Sequence, residues 1–281
     1  MTDVALSTGR HQMMAMIGLV RPVAVAASAA ICLTGALLAS PVATSALVLG
    51  MAAVGLAVAA SNVFNDIVDI EPDRVNVPER PLPLGLISVR TAMLWCWSLS
   101  VAALGAALPL GWGHTVWVGL VLLVSVWYTL RLKRILIVGH LVIAALLASA
   151  LLFGATLGSG LSAAVVVGAV EIAIFTFGRE TLKGVRDAEG DRLFGVSSIA
   201  SVWGEGPAVA TFAACCVAVM LVAAWAGPIA HVAVMASMVG VPGVIGAVWW
   251  WRSGRDLTDR AVRSSAWLWL TGLAGIFLLG S

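Results

Sequence analysis

Charge is what this chain has least of. Only 11% of its 281 residues are Asp, Glu, Lys or Arg, and 61% are hydrophobic. The mean hydropathy is +1.04. Soluble domains run at about 25% charged and about 45–50% apolar residues. So few charges cannot cover a water-facing surface, which excludes a soluble enzyme, a nucleic-acid binder and a disordered chain. The bulk solvent must be lipid. Tyrosine is almost missing, with Tyr128 alone. The four cysteines, Cys32, Cys96, Cys215 and Cys216, form no CxxC pair and no Cys/His spacing. That argues against a zinc site or a disulfide framework and leaves them as small apolar fillers. No small-residue cleavage site follows the polar start with Asp3, Arg10 and His11. A retained first span is expected there rather than a signal peptide.

What is present is a succession of apolar runs. A spanning helix needs about 20 mostly apolar residues. Nine candidates fall near 19–40, 43–64, 91–110, 114–130, 135–157, 161–179, 207–227, 229–251 and 263–280. The cations sort the intervals between them. Arg10 and Arg21 precede or open the first span. Arg74, Arg80 and Arg90 follow the second, and Arg131, Lys133 and Arg134 the fourth. Arg179, Lys183, Arg186 and Arg192 follow the sixth, and Arg252, Arg255, Arg260 and Arg263 the eighth. These are all 16 Lys and Arg residues, and the alternate intervals hold none. Nine spans with the N-terminus inside place every cation on the cytoplasmic face, as the positive-inside rule requires. The expectation is a multi-pass plasma-membrane protein of one all-α domain, 1–281, with the C-terminal Ser281 outside. Trp112, Trp127, Trp203 and Trp249–Trp251 suit interfacial belts, and the Ala-rich stretches 24–30 and 144–150 suit close packing in lipid.

The acids carry the functional signal. Eight of the 14 lie in two short blocks, one at 62–74 and one at 179–192. Asn62, Asp66, Asp69 and Asp73 stand at i, i+4, i+7 and i+11, within a helical wedge of about 60°. Glu180, Lys183, Asp187 and Asp191 stand at i, i+3, i+7 and i+11, within about 80°. Pro72 disfavours the α conformation at Glu71, so Asp73 is expected from the loop past the helix end. Stacked carboxylates repel unless a cation sits between them. Hard oxygen donors on two helices suit Mg²⁺ completed by substrate phosphates, and the interleaved Arg179, Lys183 and Arg186 suit direct contacts to phosphate oxygens.

On these blocks the chain resembles the UbiA superfamily of intramembrane prenyltransferases. The first motif, NxxNDxxDxxxD followed by RP, matches Asn62, Asn65, Asp66, Asp69 and Asp73 with Arg80-Pro81. The second, ExxKxxxDxxGD, matches Glu180, Lys183, Asp187 and Asp191. Tyr128–Arg134 is similar to the family's YxxxxKR stretch, and Arg21-Pro22 to its first-span RP. The resemblance implies a helical bundle with a central cavity opening to the cytoplasmic side. There a polyprenyl diphosphate ionises and a lipophilic, aromatic or hydroxyl acceptor attacks its C1. It implies Mg²⁺ held by Asn62, Asp66, Asp69 and Asp73 in one set and by Asp187, Asp191 and Glu180 in the other. Lys183, Lys133 and Arg21 would bind the diphosphate, and Tyr128 would donate its hydroxyl or offer its ring to the allyl cation. Asp66, Asp187, Lys183 and Tyr128 are the residues expected to carry catalysis. Within the family the blocks look most like the digeranylgeranylglycerylphosphate synthase and homogentisate prenyltransferase branches.

Two residues stand apart. Glu171 lies roughly 13 Å deeper along the helix than Glu180, and an acid in hydrocarbon is a functional candidate by default. It is a candidate for the acceptor site or a hydrogen-bonded structural group. His140 replaces an Asn common in relatives and is a second acceptor-site candidate. His114 and His231 look interfacial. A membrane terpene cyclase would ionise the same diphosphate and is the alternative enzyme. A transporter is disfavoured because its site would lie near the midplane on broken helices, whereas these acids cluster at span ends.

Overall fold

The computed structural model describes residues 12–253 and Ile276. All secondary structure among them is helical. The ninth expected span lies outside the described residues except for Ile276, as do Arg255, Arg260, Arg263 and Ser281.

The first expected span is two helices rather than one. Helix α1 (Gln12–Val20) and α2 (Pro22–Leu38) are bent by 41°. Pro22 has no N–H to give and drives the residue before it out of the α region. Arg21 accordingly sits at φ 55°. A continuous helix would bond the Ala24 N–H to the Val20 carbonyl, but here it bonds to Arg21 O at 2.9 Å. The freed Val20 carbonyl accepts from Asn62 Nδ2 at 3.0 Å.

Helix α3 (Thr44–Val68) stops one residue before α4 (Ile70–Asn76). Asp73 is therefore on a helix, not in the expected loop. Pro72 is the third residue of α4, inside the first turn, where its missing N–H breaks no intrahelical bond. Helices α5 (Val89–Ala107), α6 (Trp112–Leu130), α7 (Val138–Ala155) and α8 (Ala163–Leu193) follow, then α9 (Ile199–Trp203) and α10 (Glu205–Ala226). The expected eighth span is α11 (Ile229–Met235), a π-helical turn Ala236–Gly240 and α12 (Val241–Ser253).

Five of these helices are long and apolar enough to cross a membrane: α3, α5 with its 3₁₀ extension to Leu110, α6, α7 and α10. The number is six if the bent pair α1–α2 counts as one span. Helix α8 has 31 residues, about 46 Å at 1.5 Å per residue, against about 30 Å of hydrocarbon. The helix is therefore longer than the apolar layer is thick, and all its charged residues except Glu171 lie from Arg179 on.

The chain divides into two compact units. The first holds the residues up to Ala29 and Val48–Arg131. Its core joins Ala15 and Leu19 of α1, Ala59, Ala60 and Val63 of α3, and Ala92, Cys96 and Leu99 of α5. Leu82 and Ile87 anchor the α4–α5 connection on that core.

The second unit holds Ala30–Leu47 and the residues from Leu132 on. Here small residues bring backbones together. A Cβ on Gly35 would land on the Leu151 carbonyl, and one on Gly154 on the Cys32 carbonyl. Only glycine permits this approach of α2 to α7, the close packing that lipid favours. Helix α8 packs between α7 and α10. Gly178 faces Cys215 and Phe175 faces Phe212, while Thr181 Oγ1 donates to the Ala208 carbonyl at 3.1 Å. All four cysteines are free, and three of them are buried, as apolar fillers should be.

Candidate active site

In the first unit, the break between α3 and α4 turns one acid block into a tertiary cluster. Asp66 and Asp73 are 2% and 6% exposed. Two arginines from distant positions reach Asp66 Oδ1: Arg21, through Nη2, and Arg80, through Nη1 at 3.2 Å. The same Nη1 atom of Arg80 bonds Asp73 Oδ2. Two carboxylate oxygens from different helices thus meet on one nitrogen. Burial pushes the Asp73 carboxyl up to about 6, although the Arg80 charge and hydrogen bond pull it down.

The other expected ligands of this block are held differently. Asp69 Oδ2 accepts from Asn65 Nδ2 at 2.8 Å, and Asn65 Oδ1 accepts in turn from Thr129 Oγ1 of α6 at 3.4 Å. Asn62 spends its amide N–H on the Val20 carbonyl, where it braces the α1–α2 break. Tyr128, half-buried, precedes Thr129 on α6.

The second block lies in the second unit, on α8 without interruption. Three of its ion pairs join near neighbours on the helix. Glu180 bonds Arg179 Nη1 at 3.4 Å and Lys183 Nζ at 3.3 Å, and Asp187 bonds Arg186 Nε at 2.8 Å. Burial pushes Glu180 up, but Lys183 and Arg179 outweigh it and hold its carboxyl below the usual range. Asp191, near the helix end, accepts the Val196 N–H on its carbonyl at 2.9 Å. Arg192 donates to the Ser201 and Ala200 carbonyls of α9. That anchors the segment after the block. Ser198 and Ser201 close a reciprocal cap at the start of α9, and Gly184 leaves room for Ser198 against α8.

Lys133 sits in a 3₁₀ turn, Leu132–Arg134. A Cβ on Gly139 would meet the Lys133 Cα at 3.0 Å, so a glycine there lets α7 start directly against that turn. His140 is buried beside Phe177, with ring centroids 5.8 Å apart.

Glu171 is 1% exposed, in the apolar half of α8. Its Oε1 is 2.8 Å from His231 Nε2 of α11, and Oε2 has no hydrogen-bond partner. His231 is fully buried, not interfacial as its sequence position suggests. The sequence places it at a span start; only the packing of α11 on the bundle brings it to Glu171.

Among the described residues no three acid, histidine or cysteine side chains gather as a ready-made metal cage. Mg²⁺ does not need one. It keeps several waters and takes one or two carboxylates plus substrate phosphates. Asp66 and Asp73, converging on one point with hard oxygens, fit that requirement.

The chain matches the profile of the UbiA prenyltransferase family over residues 28–277. It belongs to that family. As a UbiA-family member it is a prenyltransferase and a multi-pass membrane protein. It is 35% identical over 254 residues to the digeranylgeranylglyceryl phosphate synthase of Halobacterium salinarum, covering 88% of this chain and 82% of that one. The synthase of the same name from Sulfolobus acidocaldarius is 36% identical over 155 residues, and the match spans only 55% of its length. Among solved structures, a UbiA homologue from Aeropyrum pernix superimposes with a TM-score of 0.75 at 22% identity, over 90% of this chain and 96% of that one. A homologue from Archaeoglobus fulgidus, solved with DMAPP and Mg²⁺, gives 0.69 at 19% identity, over 93% and 98%. These likenesses show that the UbiA fold is shared.

Arg80 is the participant that sequence reading undervalued, as it entered only as half of an RP dipeptide. Asn65, which bonds Asp69, enters the sequence reading only as a motif position, and Thr129, which bonds Asn65, does not enter it. The available signal for Arg80 was its place among the three cations, Arg74, Arg80 and Arg90, of the interval that holds the first acid block.

Proposed function

We propose that this UbiA-family chain transfers an isoprenyl group from a polyprenyl diphosphate to a lipophilic acceptor, and that the two acid blocks act on the diphosphate. The observation that carries this reading is the convergence of the buried Asp66 and Asp73 oxygens on one cationic nitrogen, beside Arg21. Bound Mg²⁺ would supply Lewis-acid withdrawal of electrons from the leaving diphosphate. Asp66, Asp69 and Asp73 would hold it in the first block, with Asn62 bracing the break that presents Arg21. Glu180, Asp187 and Asp191 would hold it on α8. Arg21, Lys133, Arg179, Lys183 and Arg186 would bind phosphate oxygens and stabilise the charge that develops as the allylic C–O bond breaks. Tyr128 would donate to the diphosphate or face the allylic cation, and His140 and Glu171 would border the acceptor. The apolar helices exclude the water that would quench that cation.

The relatives' shared name favours a hydroxyl on a prenylated glyceryl phosphate as acceptor over an aromatic ring. The solved homologue with DMAPP and Mg²⁺ supports the donor class and the metal. The deciding experiment gives purified protein a panel of prenyl diphosphates with Mg²⁺, with and without acceptors, and reads products by mass. A joined product is expected only when acceptor is present. Diphosphate release with a new hydrocarbon and no acceptor would make the protein a cyclase instead.

We also propose nine spans with both acid blocks cytoplasmic, on the strength of the cation segregation. Introduced cysteines at 65–90 and 180–206 should label from the cytoplasmic side and one at Ser281 from outside. Cytoplasmic labelling at Ser281 would refute the nine-span count.

A further inference from the structure

Arg80 holds a position that its motif does not explain. Its Nη1 is the point on which Asp66 Oδ1 and Asp73 Oδ2 converge, one from the end of α3 and one from α4. Both acids are buried, while the arginine side chain keeps 21% of its exposure. The backbone beneath it is fixed: Arg80 N–H donates to Val77 O at 3.1 Å and Leu84 N–H to Arg80 O at 3.1 Å, and Leu82 is buried in the core. The side chain is long and partly solvated, so a change of rotamer would need no movement of that backbone. Arg21 differs. It bonds Asp66 alone, from a backbone pinned at the α1–α2 break.

We propose that Arg80 is an internal competitor of the divalent cation: it occupies the shared coordination point of Asp66 and Asp73, yields it when the cation arrives, and turns to the phosphates of the donor. This deepens the function proposed above and rests on it. One carboxylate oxygen cannot be fully engaged by a guanidinium and by a divalent cation at once. Two positive groups crowded on one point repel each other strongly in a buried setting. Arg21 bonds the same Asp66 Oδ1, so that oxygen keeps one guanidinium after Arg80 leaves, and Asp73 Oδ2 is the oxygen that the exchange frees for the cation. A guanidinium released beside a diphosphate finds a planar, bidentate partner there. No covalent bond changes in this exchange. In effect Arg80 is a positioning residue that keeps two buried acids apart in charge and makes metal and donor arrive together.

The test measures Mn²⁺ affinity by electron paramagnetic resonance in detergent-purified protein without donor. Removing the competing charge in Arg80→Gln should tighten Mn²⁺ binding by about tenfold or more. With Mg²⁺ present, the same variant should bind a non-ionisable prenyl diphosphate analogue more weakly. A residue that is only a phosphate ligand would weaken the analogue and leave Mn²⁺ untouched. A merely structural residue would weaken both. Either result overturns the proposal.

Arg80→Gln leaves two buried acids short of a partner, so the wild-type protein provides an independent measurement. Mn²⁺ should raise the rate at which a dicarbonyl reagent modifies Arg80, read by peptide mass, and the diphosphate analogue should then protect it. An unchanged or lower rate with Mn²⁺ would refute the exchange. If the wild type turns over prenyl diphosphates but shows neither effect, the exchange fails and the prenyl-transfer reading stands. If it turns over no prenyl diphosphate, that reading itself fails.

Discussion

The two acid blocks have similar sequence spacing and opposite construction. The first is assembled from α1–α2, α3, α4 and the α4–α5 connection, with partners 45 and 14 residues from Asp66. Two of its carboxylates, Asp66 and Asp73, are buried and share a cation. The second is one face of one helix, and its ion pairs join residues one to three positions apart. Equal spacing in the sequence therefore does not imply equal electrostatics. A block on an unbroken helix keeps its acids in register and lets them find neighbours on their own turns. A block cut by a helix break must borrow its counter-ions from elsewhere, and those counter-ions then become part of the site.

The largest expected effect tests whether both constructions serve one reaction. Asp66→Ala and Asp191→Ala should each lower turnover by at least about a hundredfold, or ~2.7 kcal/mol of barrier. Product formation at saturating Mg²⁺ measures it. More than a tenth of wild-type rate in Asp191→Ala would reduce the second block to a solvated helix end.

Next comes stability. Arg80→Ala removes the ion-pair partner of the buried Asp73 and leaves Asp66 with Arg21, and should cost about 1–3 kcal/mol, below the range for fully buried pairs because the arginine is partly solvated. Arg186→Ala, on the half-buried pair with its neighbour Asp187, should cost under about 1 kcal/mol, because neither partner is fully buried. Thermal unfolding in detergent compares them, and equal losses would erase the distinction between the two blocks.

Glu171 offers a third, isolated arrangement: one acid, one partner, no cation nearby on its own turn. Glu171→Gln preserves a hydrogen bond to His231 and should be close to silent in stability and in turnover. Glu171→Leu leaves His231 buried without that partner and should cost about 1–3 kcal/mol. If Glu171→Gln instead lowers acceptor-dependent turnover while donor binding is intact, the pair belongs to the acceptor site.

The smallest effects probe how α8 carries its block. Gly178→Ala would place a Cβ 2.6 Å from Cys215 Cβ and should destabilise by about 1–3 kcal/mol. Gly184→Ala meets Ser198 only at ordinary contact distance, 3.5 Å, and should change stability by under about 0.5 kcal/mol. A costly Gly184→Ala would show that α9 is clamped to the block more tightly than its contacts indicate.

Much of this protein could be read from its residues alone. Hydropathy located α2, α3, α5, α6, α7, α8 and α10, because apolar runs must be helical where no water can satisfy the backbone, but it gave no sign of α4, α9 or the breaks within the first and eighth expected spans. The register of the second block was legible because Glu180, Lys183, Asp187 and Asp191 lie on one uninterrupted helix, where spacing and face are the same information. The first block was legible as a set of residue types but not as a geometry. Pro22 and Pro72 perturb local helices in ways that depend on which groups stand ready to take the released carbonyls and carboxylates. Asn62, Arg21 and Arg80 do so only because the fold carries them there. His231 makes the same point. Sixty residues separate it from Glu171, and no periodicity links them. Local structure follows from neighbouring residues through short-range sterics and hydrogen bonds; the choice of counter-ion for a buried charge is a long-range matter that only tertiary packing decides.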